Sequence, residues 1–169
     1  MCPGRPCLEQ ALRRGEFARR LKVALAQTDL ETLEGLIRER VSGKVVSLLG
    51  LARRARKVVS GAEAVESAMK RRRARLILTA VDASAGTVDK VLALARATGT
   101  ACYRFLSKEE LGAAVGSAPR SCIVVTDPQF SDALVSILAK CPPDTTSAAP
   151  RPAQAMSPHR QAATREAWR

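Results

Sequence analysis

Two clusters of basic side chains are the residues of this sequence best suited to chemistry, and that chemistry is the binding of a polyanion. The clusters are Arg53, Arg54, Arg56 and Lys57, followed by Lys70, Arg71, Arg72, Arg73 and Arg75. Residues 44–75 hold 10 basic and 2 acidic residues, and so carry +8 of the net charge of +12 on the 169-residue chain. Solvated surfaces usually mix the two signs. The imbalance therefore favours a nucleic-acid partner over an acidic protein, a membrane or a surface without a function.

The segment between the two clusters is typical of a helix start. Ser60 and Glu63 have the spacing of a capping box, in which a serine side chain caps the helix and a glutamate three residues later returns to the cap. A helix that opens on a glycine, here Gly61, can offer backbone N–H groups to a phosphate or a base edge. Because Arg56 and Lys57 come just before it, we expect directional donors beside point charges, which suits structured RNA. An ordinary capping box flanked by charge is the alternative.

Residue types that catalysis requires are scarce. The single histidine, His159, lies near the C-terminus, so the rest of the chain lacks the commonest general base. Neither a dinucleotide-binding glycine motif nor a phosphate-binding P-loop motif occurs. Asp82 and Asp127 follow predicted strands, but the first fits a turn into a helix and the second fits a helix N-cap. Cys102 and Cys122 are interpreted as small core residues. The sequence therefore predicts no enzyme, no cofactor, no metal site and no small-molecule substrate.

The length and hydropathy of the chain suggest a cytoplasmic location. The chain has the length of one domain with additional segments. No apolar run approaches the ~20 residues that span a bilayer. The first residues lack the apolar core of a secretory signal. We therefore expect a cytoplasmic protein without a membrane partner.

Residues 1–43 are predicted to form two helices. The first runs from Leu8 to Leu25 on a broken apolar period. The second starts with a capping box at Thr28 and ends at Gly43.

Residues 44–140 alternate short apolar strands with helices. The predicted strands are Val58–Val59, Leu76–Val81, Ala101–Phe105 and Ser121–Thr126, and the predicted helices are Val45–Arg56, Ser60–Arg72, Ser84–Thr98, Ser107–Val115 and Pro128–Lys140. Strands that are apolar on both faces need cover on both sides. The predicted fold class is therefore α/β: a three-layer α/β/α sandwich with a short mixed sheet, preceded by N-terminal helices.

Residues 141–169 are predicted to form a disordered tail. From 142 onwards the sequence contains no Leu, Ile, Val or Phe and holds five of the nine prolines, so it has little with which to build a core. The chain is thus divided into a helical N-terminal segment of residues 1–43, a central domain of residues 44–140 and this tail.

Four motifs of the central domain resemble a known family. They are Leu48-Leu49-Gly50-Leu51-Ala52, Val58-Val59-Ser60-Gly61, Ala74-Arg75-Leu76-Ile77-Leu78 and Leu111-Gly112-Ala113-Ala114-Val115-Gly116. In order and spacing they are similar to the YlxQ-like bacterial branch of the kink-turn-binding ribosomal-protein superfamily, whose archaeal type member is L-seven-Ae. The resemblance implies an α/β/α fold and a non-catalytic protein that binds RNA in connection with ribosomes or translation.

The resemblance also implies where RNA binds. Kink-turn binders of this superfamily carry Gly-x-Asn-Glu at a helix start, and a lysine one turn later, to engage tandem sheared G·A pairs. This sequence keeps the glycine as Gly61. The asparagine position then holds Glu63, the glutamate position Ala64 and the lysine position Ser67. Lys70 shares the helical face of Glu63 and could partly replace the lysine. We therefore expect looser recognition of ribosomal or other structured RNA.

A loop completes the implied site. In the family, the loop before the last strand closes over a flipped-out RNA base. Here that loop is residues 116–120, and Arg120 is its one charged residue. The predicted RNA-binding residues are Arg53, Arg54, Arg56, Lys57, Ser60, Gly61, Glu63, Lys70 and Arg120.

The N-terminus carries a second resemblance. Met1-Cys2-Pro3 and Cys7-Leu8-Glu9-Gln10-Ala11-Leu12, followed by Phe17 and Leu21, look like the C-terminal end of the YlxR family, which is small, basic and thought to bind RNA. The earlier part of that family is absent from this sequence. Either the module was lost, or the start lies inside a longer gene that encodes a YlxR–YlxQ fusion.

Two other functions stay open. One is the RNA-recognition subunit of a separate RNA-modifying enzyme, because similar folds precede methyltransferase domains. The other is a protein-interaction adaptor on the ribosome or RNA polymerase, which would use the N-terminal helices.

Overall fold

The computed structural model describes residues 5–16, residue 19 and residues 29–141, and the predicted tail lies outside them apart from Cys141. Within the described residues the helices are α1 (Arg5–Arg13), α2 (Leu30–Arg54), α3 (Ala62–Lys70), α4 (Ala85–Thr98), α5 (Lys108–Ala114) and α6 (Pro128–Leu138), and the strands are β1 (Val58–Ser60), β2 (Leu76–Thr79), β3 (Ala101–Arg104) and β4 (Cys122–Val125). None of these helices is both long enough and apolar enough to cross a bilayer.

The four strands form one mixed sheet in the order β1-β4-β2-β3. β2 and β3 are parallel, while β4 is antiparallel to both β1 and β2. At one end of the sheet β1 leads into Gly61 and β4 begins after Arg120; we call this the Gly61 end. At the opposite end Lys57 precedes β1 and Arg75 precedes β2, on either side of the last residues of β4. Lys57 and Gly61 therefore lie at opposite ends of the sheet although they are close in sequence.

Helices cover both faces of the sheet. α2, α5 and α6 pack on one face around Leu49, Leu78 and Leu134, which are fully buried. α3 and α4 pack on the other face around Met69 and Ile77, which are also fully buried. The predicted α/β/α sandwich with a short mixed sheet is confirmed.

α2 differs most from the sequence prediction. The predicted end at Gly43 and the predicted new helix from Val45 are wrong, because one helix of 25 residues runs from Leu30 to Arg54. Its buried residues Val41, Val45, Leu49 and Ala52 form one stripe against the sheet. Burying this stripe outweighs the roughly 1 kcal/mol that a glycine costs inside a helix. The boundary predicted between residues 43 and 44 thus falls within α2, and the division of the chain into domains stays a prediction.

The N-terminal helices also begin and end elsewhere. The cap of α2 is Asp29 and not Thr28, which lies outside the described residues. The Asp29 carboxylate accepts a hydrogen bond from Thr32 N at 2.7 Å. Hydrogen bonding with the Thr32 side chain, and then with this backbone N–H, lowers the pKa of Asp29. The helix predicted from Leu8 ends at Arg13, before Gly15, which has a φ of +64°. The later part of that predicted helix falls largely outside the described residues.

The remaining elements follow the sequence closely. The capping box at Ser107 and Glu110 is formed in both directions. Asp127 caps α6 by accepting from Gln129 N and Phe130 N, and Pro128 follows it. The strands are shorter than predicted by one or two residues at their ends, apart from β1, which extends to Ser60. The predicted N-caps at Ser107 and Asp127 are therefore confirmed.

Candidate nucleic-acid interface

The start of α3 lies at the Gly61 end, and it lacks the predicted capping box. Ser60 belongs to β1, where it pairs with Ile123, so the N-cap position falls on Gly61 and no side chain caps the helix. Gly61 has a φ of 101° and a ψ of 139°, a conformation that L-residues avoid. The first backbone N–H groups of α3 are therefore without a side-chain acceptor and suited to an external one.

Arg120 faces this helix start. Its Nη1 lies 4.0 Å from the position that a Cβ on Gly61 would take. Its Nε and Nη2 donate to Ser117 Oγ at 3.1 and 2.7 Å, and its backbone N donates to Lys108 O at 2.9 Å. The half-buried guanidinium is thus held in place beside Gly61. The placement of Arg120 across from the helix start agrees with what the resemblance implied.

The loop that carries Arg120 is packed tightly on α5. A Cβ on Gly112 would lie 2.5 Å from Ala118 O and 2.9 Å from Pro119 Cα. Real Cβ atoms do not approach backbone atoms that closely, so only glycine allows this packing. Gly112 and Ser117 therefore position Arg120, and neither was among the predicted site residues. A glycine in the interior of a predicted helix is the signal that could have indicated Gly112.

Asp82 also helps to place α5. Its Oδ1 accepts from Lys108 N at 2.8 Å, and its Oδ2 lies 4.0 Å from Lys108 Nζ. The carboxylate therefore ties the end of β2 to the first residue of α5, rather than shaping only the turn into α4. The segment that carries the Arg120 loop is thus anchored at both of its ends.

Glu63 and Lys70 lie on α3 but differ in their surroundings. Glu63 is exposed in the first turn. Lys70 is in the last turn, where its Nζ lies 2.6 Å from Glu66 Oε1. Contact with Lys70, assisted by Lys90, lowers the pKa of Glu66. Lys70 is therefore paired with Glu66 and lies roughly 12 Å along the helix axis from the first residue of α3.

The first basic cluster lies at the opposite end of the sheet from Gly61. The three residues of β1 lie between Lys57 and Gly61, which are four steps, or roughly 13 Å of extended chain, apart. Lys57 Nζ lies 3.6 Å from Asp127 Oδ2, and Arg53 Nε donates to Val115 O at 3.2 Å. The expected placement of Arg56 and Lys57 directly beside the helix start is therefore wrong.

The second basic cluster joins the first one. Arg75 N donates to Val125 O at 2.8 Å, while Lys57 O accepts from Thr126 N at 2.9 Å. The starts of β1 and β2 are thus held on either side of the end of β4. We call the cations gathered there the basic end: Arg54, Arg56, Lys57, Arg72, Arg73 and Arg75. The sequence did not indicate this convergence, because it depends on the insertion of β4 between β1 and β2.

α2 and α3 both finish at the basic end in a Schellman motif, whose C′ residue has a positive φ and is usually glycine. In α2 that residue is Arg56, with a φ of 59°, and in α3 it is Arg72, with a φ of 53°. α4 and α5 end in the same turn with Gly99 and Gly116. A left-handed conformation costs an L-residue roughly 1–2 kcal/mol. Both arginines therefore occupy positions that favour glycine.

The fold and the helix start that faces a loop define a class, the ribosomal-protein-like α/β/α domains. Residues 43–135 match the Ribosomal protein L7Ae/L30e/S12e/Gadd45 family, and the chain belongs to that family. The chain is 40% identical over 91 residues to a Bacillus subtilis (strain 168) protein named RNA-binding protein YlxQ. The matched region covers 54% of this chain and 91% of that protein. The resemblance to the YlxQ-like branch is thereby confirmed.

Two further relatives agree. A protein of the same name from Enterococcus faecium is 30% identical over 88 residues, covering 52% of this chain and 84% of that protein. A solved structure described as a protein with unknown function from Bacillus halodurans C has 33% identity and a TM-score of 0.54, and covers 56% of this chain and 96% of that one. The family match begins at residue 43, so the YlxR resemblance before it stays a prediction.

Proposed function

We propose that this protein binds structured RNA at the Gly61 end of the sheet, without catalysing a reaction, and that it acts in connection with the ribosome or translation. One observation carries the proposal: the guanidinium of Arg120 lies beside Gly61 and the uncapped first turn of α3. Two relatives named as RNA-binding proteins support the RNA partner. Membership of a family named for ribosomal proteins supports the link to the ribosome.

The chemistry of this end suits a phosphate and an adjacent base. Backbone N–H groups at a helix start point along the axis and attract anions through the helix dipole. Arg120 adds a fixed cation that can donate two parallel hydrogen bonds. Glu63, in the same turn, can accept from the amino group of cytosine or guanine. The Gly61 end therefore offers donors for the backbone and an acceptor for a base edge.

Replacement of Arg120 tests the proposal. We expect Arg120→Gln to weaken binding of a fluorescently labelled kink-turn RNA by about 10-fold, or ~1.4 kcal/mol, because a charged hydrogen bond is lost. Arg120→Lys retains the charge and should recover part of the loss. Lys140→Gln, which removes an exposed cation after α6, is the control and should change little. Equal affinities for all four proteins, measured by fluorescence anisotropy, would contradict the proposal.

The same assay addresses specificity. The residues at the Asn, Glu and Lys positions of kink-turn binders are Glu63, Ala64 and Ser67. We therefore expect the intact RNA and an RNA whose G·A pairs are replaced to bind with similar affinities. Raising the salt from about 50 to 200 mM should weaken both by roughly three-fold for each phosphate neutralised. Tight binding to the intact motif alone would show that other residues read the G·A pairs.

An adaptor is the second candidate. Leu36 and Leu51 on α2 are 57% and 53% exposed, and together with Ile137 they line a shallow groove. Exposed leucines of this kind favour contact with another protein. Association with ribosomes that survives nuclease treatment and is lost in Leu36→Ser/Leu51→Ser would favour the adaptor over the RNA-binding protein.

A further inference from the structure

We propose that the basic end of the sheet is a second RNA-binding surface, which holds a segment of phosphate backbone different from the one at the Gly61 end. This inference rests on the proposed function, since both surfaces would bind the same RNA.

The fold brings the basic end together from two separate parts of the chain. Lys57 and Arg75 lie on either side of the end of β4. Thr126 N donates a hydrogen bond to Lys57 O, and Arg75 N donates one to Val125 O. Neighbouring strands lie about 4.8 Å apart, so the backbones of Lys57 and Arg75 are roughly 10 Å apart across β4. Arg56 precedes Lys57. Two sequence clusters therefore meet at the same end of the sheet, on either side of the end of β4.

Most of this charge is available to a ligand. Lys57 pairs with Asp127. In residues 29–141, none of the five arginines of the basic end forms an ion pair or a side-chain hydrogen bond, and all five are exposed. Arginine presents a planar fork of donors that matches a phosphate, and it loses less hydration than lysine on binding one. The cations left unpaired are thus of the type that suits phosphates, which favours RNA over an acidic protein.

Arg56 and Arg72 provide the strongest argument. Cations near helix C-termini commonly stabilise the helix, and that alone could explain a basic residue there. Both arginines, however, occupy the positive-φ position of a Schellman motif, where two other helices of the same chain have Gly99 and Gly116. Glycine would serve the fold better at both positions. We infer that these side chains are present for the charge that they offer to a partner.

The distance between the surfaces determines the kind of RNA. β1 places Lys57 roughly 13 Å of extended chain from Gly61. A stem that extends from the Gly61 end by less than this distance would leave the basic end empty. A longer stem, or a second strand that folds back, would reach both surfaces. The second surface should therefore add affinity and salt dependence for long RNA, with little discrimination between sequences.

Two kink-turn RNA hairpins that differ in stem length by about one helical turn provide the test. The full chain is compared with Arg56→Gly/Arg72→Gly, in which glycine suits both turns, and with Lys44→Gln/Lys140→Gln, which removes two exposed lysines elsewhere. Anisotropy is measured over a range of salt concentrations, and thermal melting checks that each variant is folded. Arg73→Gln/Arg75→Gln removes two further cations of the basic end without touching a positive φ.

On the long RNA, we expect both arginine pairs to reduce the slope of log K against log salt by about 1.5, since each phosphate contact contributes about 0.7–0.9. The lysine pair should change this slope by much less, and on the short RNA all proteins should show the same slope. If the wild type binds RNA but the arginine pairs behave like the lysine pair, the second surface is refuted and the proposed function stands. If the wild type binds neither RNA, both the second surface and the proposed function are refuted. Loss of binding in the arginine pairs but not in Arg120→Gln would support the second surface and refute the Gly61 end.

Discussion

Gly112→Ala should displace the loop that holds Arg120. The new Cβ would lie 2.5 Å from Ala118 O, 2.8 Å from Ala118 C and 2.9 Å from Pro119 Cα. These are backbone atoms, so no side chain can rotate away. The loop must move by roughly 1 Å to restore ordinary contacts, and forcing extra volume into a packed site costs about 1–3 kcal/mol.

Gly50→Ala is the matched control. Gly50 also lies within a helix, but its Cβ would meet Ala114 O at 3.7 Å, an ordinary contact. Both substitutions gain the same helix propensity of about 1 kcal/mol. The difference between the two variants therefore isolates the cost of packing against the loop. At about 4 °C for each kcal/mol in a domain of this size, Gly112→Ala should melt roughly 4–12 °C below Gly50→Ala.

Circular dichroism gives the melting temperatures, and anisotropy gives the affinity for a kink-turn RNA. We expect Gly112→Ala alone to weaken RNA binding, because Arg120 follows the displaced Pro119 in the chain. Equal melting temperatures and equal affinities for the two variants would refute the role assigned to Gly112.

Three further predictions concern α2, Lys57 and the buried cysteines. Gly43→Ala should raise the free energy of unfolding in urea by about 1 kcal/mol, because Gly43 lies inside α2 and, beyond its chain neighbours and the adjacent helix backbone, no atom lies within 4 Å of its Cβ position. A loss of stability would instead indicate a helix end there. Asp127→Asn keeps an N-cap residue but removes the ion pair with Lys57. The released Lys57 should then bind a phosphate, and the slope of log K for RNA against log salt should steepen by about 0.7–0.9. An unchanged slope would show that Lys57 makes no phosphate contact. Burial raises the pKa of the Cys102 and Cys122 thiols, so at mildly alkaline pH a smaller share of each is thiolate than in an ordinary free cysteine, and both are shielded from solvent, whereas Cys7 is exposed. Mass spectrometry after brief iodoacetamide treatment should find Cys7 alkylated and both buried thiols intact, and prompt labelling of either would contradict their burial.

Local signals explain why much of the fold was predictable. The caps at Ser107 and Asp127 form within three residues of sequence, and the structure has both. Gly43, by contrast, resembled a helix end, and its surroundings override that signal. Val41 and Val45, on either side of it, are both buried against the sheet. Packing between distant parts of the chain, which a local pattern does not contain, thus decided the length of α2.

The candidate site was predictable in part for a similar reason. The proximity of Gly61 and Arg120 followed from the resemblance to a family whose loop closes over that helix start. The separation of Lys57 from Gly61, and its proximity to Arg75, depend on the strand order β1-β4-β2-β3. That order joins strands that are far apart in sequence. The sequence therefore indicated which residues carry the charge, but not that they lie together at the basic end.

The most direct test of RNA binding at the Gly61 end is a titration of the isotope-labelled full chain with kink-turn RNA, followed by nuclear magnetic resonance. We expect the signals of the backbone amides of Ala62, Glu63 and Ala64 and of the Nε–H of Arg120 to shift together and to saturate as the RNA binds. RNA binding that leaves these four signals unmoved, while signals elsewhere shift, would contradict binding at the Gly61 end.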